Sequence, residues 1–226
     1  MVPSWARLDV SPFRLSGTVY GALLNQSSAL EALGSAVDAP PYNAPPRAPV
    51  LYVKPRNTLA GPGHAVEVPA GCDALEIGAC LGVVIGRTAS RLTPGTALDH
   101  VAGYLIVDDI SVPHTNYYRP SLRFKARDGF CPMGAFVPRA AVANPDCLTI
   151  DTFVDEVLVA SASTAGAVRP VAQLLADVTD FMTLAPGDVL ATGVAAPAPR
   201  ARAGQAVRIE IAQLGSLRHT LMKGSA

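Results

Sequence analysis

At 226 residues, half of them apolar and 16% charged, the chain can bury one sizeable core without relying on disulfides or metal. Eighteen basic residues balance eighteen acidic ones, which excludes the basic footprint of a nucleic-acid binder and favours self-association. No apolar run approaches the roughly 18 residues of a membrane helix, and the N-terminus lacks a charged-then-apolar leader pattern, so a soluble, cytoplasmic protein with no nucleic-acid or membrane partner is expected. Cys72, Cys80, Cys131 and Cys147 form no CxxC pair and read as reduced thiols.

In chain order, residues 1–16 read as an N-terminal extension of a single domain spanning 1–226. Residues 17–24 predict a strand. A short helix is expected near 29–36, with Asn25 or Ser27 available to cap it. Segment 38–48 carries four prolines and must be irregular, which makes it a candidate lid or pocket rim. Residues 51–55 predict a strand ended by Pro55. Residues 75–86 predict one long strand that starts alternating and becomes wholly apolar, with Gly78, Gly82 and Gly86 marking bulges or close backbone approach. Residues 101–112 repeat that pattern and end in Asp108 and Asp109. Segment 113–134 is polar and aromatic with little periodicity, the kind of loop on which sites are built. Segments 148–152 and 154–160 predict a hairpin, 168–182 an amphipathic helix through Val171, Leu174, Leu175 and Val178, and 188–193 a strand entering a glycine turn. Val207, Ile209 and Ile211 alternate, and a last strand is expected after Gly215. The fold class is mostly β with short helices (α+β), without the parallel βαβ rhythm of a dinucleotide-binding fold.

Asp108-Asp109 at a strand end fits either a hard-cation site or an ordinary turn or cap. Lys125, flanked by Phe124 and Ala126, fits either a cation for a substrate carboxylate or enolate, or a solvated loop lysine. Arg119, Arg123 and Arg127 beside Tyr117 and Tyr118 fit an anion pocket or surface ion pairing. Thr192-Gly193 fits a carboxylate-binding turn or a plain one. The four histidines lie far apart in sequence and no GxSxG elbow is present, so nothing supports a serine hydrolase.

Taken together, an ordered set of segments resembles the fumarylacetoacetate hydrolase family: Lys54-Pro55-Arg56-Asn57-Thr58 with Gly61-Pro62-Gly63, residues 83–86, Gly103-Tyr104, Asp108-Asp109-Ile110-Ser111, residues 125–134, residues 184–189, and Thr192-Gly193. The resemblance implies a mixed, rolled β-sandwich or barrel, a dimer, a small anionic 2-oxo or enol acid substrate, and Mg²⁺ held by three carboxylates. It places a metal-binding aspartate at Asp109, an active-site lysine at Lys125 and a substrate-binding threonine at Thr192. The family's two metal-binding glutamates correspond to Gly78 and Cys80 here. Glu76 shares their strand face but lies roughly 7 Å from position 78, so it replaces neither. A lid His and Glu correspond to Ala29 and Ala32, with Glu31 adjacent.

Within the family, the branch most similar is the amino-terminal half of the two-domain homoprotocatechuate-pathway isomerase/decarboxylases, through residues 118–132. It implies isomerisation of 2-hydroxyhepta-2,4-diene-1,7-dioate and decarboxylation of 5-oxopent-3-ene-1,2,5-tricarboxylate. The expected site is then Lys125, with or without a metal on Asp109, beside the 2-oxo oxygen. Arg119 or Arg127 would hold the distal carboxylate, Tyr118, Thr192 and Gly193 would also bind substrate, and Glu31 would shuttle the proton. Alternatives are a non-catalytic partner subunit of a metal-competent paralogue, in a homodimer or heterodimer, and a C–C hydrolase of acylpyruvates.

Overall fold

The computed structural model describes residues 6–7, 14–115 and 121–224. Eleven strands form two principal sheets: β1 (Val19–Leu23), β2 (Val50–Lys54), β3 (Ala65–Val68), β4 (Ala79–Ile85), β5 (Val101–Asp108), β6 (Val137–Pro138), β7 (Thr149–Val154), β8 (Val157–Ser163), β9 (Val189–Ala191), β10 (Ala206–Ile211) and β11 (Gly215–Lys223). The helices are short: α1 (Ser27–Glu31), α2 (Pro94–Ala97), α3 (Leu122–Lys125) and α4 (Val171–Phe181). The six-stranded sheet runs β6-β5-β4-β9-β1-β2 and the five-stranded sheet β8-β7-β10-β11-β3. Each is mixed, with one parallel pairing, β9 with β1 and β11 with β3. Neither closes into a barrel, so the architecture is the sandwich form of the expected fold.

Side-chain alternation divides the core in two. On β5, Tyr104 and Ile106 face the five-stranded sheet and join Ile209, Leu217 and Leu221. Leu105 and Val107 face the other way and join Cys80, Val84, Cys131 and Val189. The six-stranded sheet is thus covered on both faces, which is why β4 reads as an unbroken apolar run. β10 and β11, covered on one face, alternate instead.

Several elements depart from the sequence expectation. Residues 75–86 are two strands, Leu75–Glu76 and β4, interrupted at Ile77-Gly78. Gly78 passes so close to Asp109 that a Cβ there would sit 2.2 Å from the Asp109 carbonyl oxygen. Leu75–Glu76 pairs with Arg200–Ala201 rather than extending the main sheet. The first helix is one short turn, α1, followed by a 3₁₀ segment, Gly34–Asp38. Its N-cap position is Gln26, not Asn25 or Ser27. The hairpin turn falls at Asp155-Glu156, both with positive φ (49° and 63°), the primed-turn geometry that matches strand twist. Strand β3 and helix α3 escaped the sequence reading.

Candidate active site

The parity that divides the core also separates the two adjacent aspartates. Asp108 follows Tyr104 and Ile106 into the sandwich, where its carboxylate meets His219 Nε2 at 2.7 Å and accepts the Gly78 N–H at 2.7 Å. Asp109 lies on the opposite face. Its backbone N–H donates to the Gly78 carbonyl at 2.9 Å, which holds the broken strand against it. The two carboxylates therefore do not form a shared cation site; each has its own partners.

Asp109 is 2% exposed and is surrounded by donors. Lys54 Nζ lies 2.8 Å from Oδ1 and Lys125 Nζ 2.6 Å from Oδ2. The Tyr52 hydroxyl also donates to Oδ2. Burial by itself would raise the Asp109 pKa, but the Lys125 and Lys54 ammonium groups overcome it and hold the carboxyl well below the usual range. Burial and the Asp109 charge push the Tyr52 phenol well above its ordinary value, so it remains a donor. Its ring packs over Gly21, the residue opposite it on β1, where a Cβ would come within 2.1 Å of the ring.

The two lysines differ in what they have left to offer. An ammonium has three N–H groups. Lys54 donates to the Lys125 carbonyl at 2.9 Å and the Ile110 carbonyl at 3.3 Å and pairs with Asp109 Oδ1. Lys125 bonds only Asp109 among the described side chains, lies 5.1 Å from the centroid of the Tyr52 ring, and borders a cavity of about 450 Å³. Asp109, Tyr52, Glu76 and Arg200 border the same cavity. This arrangement can place a positive charge with unused donors against an oxygen of a small bound anion.

The structure places the other expected site residues as follows. Glu31 is exposed and outside the cavity lining, whereas Ala29 and Ala32 of the same segment line it. Arg127 is half-buried, with Nε donating to the Arg123 carbonyl, and does not line the cavity. Thr192 is buried, donates its N–H to Leu81 and accepts from the Asn25 side chain. Neither Thr192 nor Gly193 lines the cavity; residues 194–198 do. Tyr118 and Arg119 lie outside the described residues. The proline-rich 38–48 segment is irregular but contributes nothing to the lining.

Lys54, Tyr52 and Arg200 were missed as site residues. Lys54 had one usable signal: a lysine two positions after Tyr52 shares its strand face, which is half-buried at Val50 and Tyr52. Arg200 had none.

The donor set does not fit a divalent ion. Such ions want several anionic oxygens, and Asp109 already divides its oxygens between two ammonium groups. At position 78 no side chain fits without displacing Asp109. At position 80, burial and then the Asp109 charge push the Cys80 thiol well above its ordinary pKa, so it is protonated and a poor ligand. Among the described residues no group of three His, Cys, Asp or Glu side chains can hold a metal.

A mixed β-sandwich with a cavity bordered by Lys125 and Arg200 at the end of its central strands is an enzyme-like scaffold. The chain belongs to the fumarylacetoacetate hydrolase family: the profile described as fumarylacetoacetate (FAA) hydrolase C-terminal matches residues 18–222. It is 39% identical over 195 residues to the 4-hydroxyphenylacetate degradation bifunctional isomerase/decarboxylase of Salmonella dublin, a match covering 86% of this chain and 44% of that protein. The chain thus spans less than half the length of that relative. The crystal structure of 5-carboxymethyl-2-hydroxymuconate delta-isomerase from Mycobacterium smegmatis superimposes with a TM-score of 0.79 at 24% identity, covering 93% and 80% of the two chains. Fumarylpyruvate hydrolase from Pseudomonas aeruginosa, solved with Mn²⁺ and pyruvate, superimposes with a TM-score of 0.82 at 19% identity over 99% of both chains. Both establish likeness of fold.

Proposed function

We propose that this chain acts on small 2-oxo or enol dicarboxylic acids of homoprotocatechuate breakdown, as an isomerase of 2-hydroxyhepta-2,4-diene-1,7-dioate and a decarboxylase of 5-oxopent-3-ene-1,2,5-tricarboxylate. The observation that carries this reading is Lys125: a buried ammonium, fixed on Asp109, with N–H donors left over beside a cavity. Both reactions pass through an enolate next to a carboxylate. In isomerisation a proton leaves the dienol oxygen and another arrives at a distal carbon. In decarboxylation the C–C bonding pair moves into the conjugated carbonyl as CO₂ departs. An ammonium at the 2-oxo oxygen stabilises the negative charge formed in each case. Lys54 and Asp109 hold that ammonium in place, and Tyr52 completes the carboxylate's contacts. We read the site as working without a resident divalent ion, because Asp109 already divides its oxygens between two ammonium groups.

The test is turnover of both substrates by the purified chain, in EDTA and in Mg²⁺. Activity in EDTA that disappears in Lys125→Met supports the reading; full activity in that variant overturns it. A second reading, that the chain is a non-catalytic partner of a metal-competent paralogue in a dimer, draws on the alanines that line the cavity from the α1 segment and on the half-length match to the two-domain relative. It predicts no turnover by the chain alone and recovery on mixing with the paralogue.

A further inference from the structure

Arg200 is the one guanidinium that borders the cavity among the described residues. Its position is set by chain pairing: Arg200 stands opposite Glu76 in a two-stranded antiparallel ribbon, and its Nη2 lies 3.2 Å from Glu76 Oε1. Glu76 is bound on its other side to the segment that carries Asp109, through reciprocal backbone hydrogen bonds with Ser111 of 2.9 and 3.1 Å. The Glu76 side chain is 20% exposed and that of Arg200 61%. A guanidinium has five N–H donors in a planar fork. One meets Glu76, and the side chain, mostly exposed, borders the cavity at its rim.

The cavity is thus bordered by two cationic side chains, Lys125 beside Asp109 and Arg200 beside Glu76.

We infer that Arg200, oriented by Glu76, is the residue that selects substrates with a second, distal carboxylate. This rests on the reading of Lys125 given above and assigns the opposite end of the same site. Arg200 grips the far carboxylate with its free N–H groups, while the 2-oxo end lies at Lys125. The specificity is for α,ω-diacids over monoacids of the same length.

The experiment compares heptanedioate with heptanoate, neither of which reacts, by calorimetric titration of wild type, Arg200→Met and Arg200→Lys in EDTA. The diacid is expected to bind wild type about 10- to 100-fold more tightly, the value of a charge-assisted hydrogen bond. Arg200→Met removes that preference and leaves heptanoate binding unchanged. Arg200→Lys retains part of it, since a point charge replaces a fork. A preference that survives in Arg200→Met, or that wild type lacks, overturns the inference and leaves the Arg200–Glu76 pair a plain cross-strand contact. A preference confirmed here in a protein that turns over neither proposed substrate would leave Arg200's role standing and reject the reaction instead. Equal loss of both ligands in Lys125→Met separates the ammonium's contribution from that of Arg200. Circular dichroism of each variant checks that a lost preference is not lost folding.

Discussion

Asp108 and Asp109 are chain neighbours of the same residue type, and almost everything about them differs. Asp108 points between the sheets, where it joins β5 to His219 on β11 and caps the Gly78 N–H. Asp109 points to the other face, where two ammonium groups and a phenol converge on it beside a cavity. The inner pair ties one sheet to the other; the outer cluster fixes a charge where a ligand can reach it. One step along a strand separates scaffold from chemistry, because successive side chains take opposite faces.

If that division is right, the variants separate accordingly. Lys54→Met removes a buried cation that pairs with Asp109 and donates to two backbone carbonyls, and leaves Asp109 with one ammonium. We expect a loss of about 3–5 kcal/mol in stability, read by urea unfolding. Lys125→Met lies next: turnover should fall about 10²- to 10³-fold, the range for deleting one preorganised donor at a developing oxyanion, with the protein still folded. Asp108→Asn should cost about 1.5–3 kcal/mol of stability through the lost charge-assisted bond to His219, while changing KM and kcat little in the protein that remains folded. An Asp108→Asn variant that is stable but inactive would break the comparison. Glu31→Gln, at an exposed position outside the cavity lining, should leave turnover within about twofold, since surface substitutions of this kind cost little.

The pH dependence sharpens the same contrast. The Asp109 pKa is lowered in the folded protein, so its contribution to stability is present in full above the unfolded value of about 3.9 and is lost as the pH falls below it towards the folded value. Unfolding midpoints measured downwards from about pH 5 should therefore drop in wild type. In Asp109→Asn, which starts less stable, that part of the drop should be missing.

Much of the scaffold was readable before the structure. The apolar run at 80–85, the alternation at 207–211 and the helical spacing at 171–178 each gave an element whose environment matches its pattern. Gly78 marked a bulge or close backbone approach in the sequence, but the neighbour it approaches, Asp109, was not readable, because it comes from another segment. The site divided the same way. Asp109 and Lys125 were named, and they meet at 2.6 Å across 16 residues of sequence. Lys54 reaches them from 71 positions before Lys125, and Arg200 comes from 124 positions after Glu76, so local pattern gave at most the strand face Lys54 shares with Tyr52 and no trace of the Arg200 contact. The proton-transfer role expected of Glu31 rested on nearness in sequence to two alanines. A one-residue offset on a helix turns a side chain away from its neighbours' face, and Ala29 and Ala32, not Glu31, reach the cavity.

The central claim is that the positive charge at the reacting oxygen is the Lys125 ammonium. Oxalate, a planar and unreactive likeness of a 2-oxo acid enolate, tests it by calorimetric titration. The account predicts binding in EDTA that Mg²⁺ does not strengthen and that Lys125→Met removes. Binding that requires Mg²⁺ and survives in Lys125→Met would contradict it.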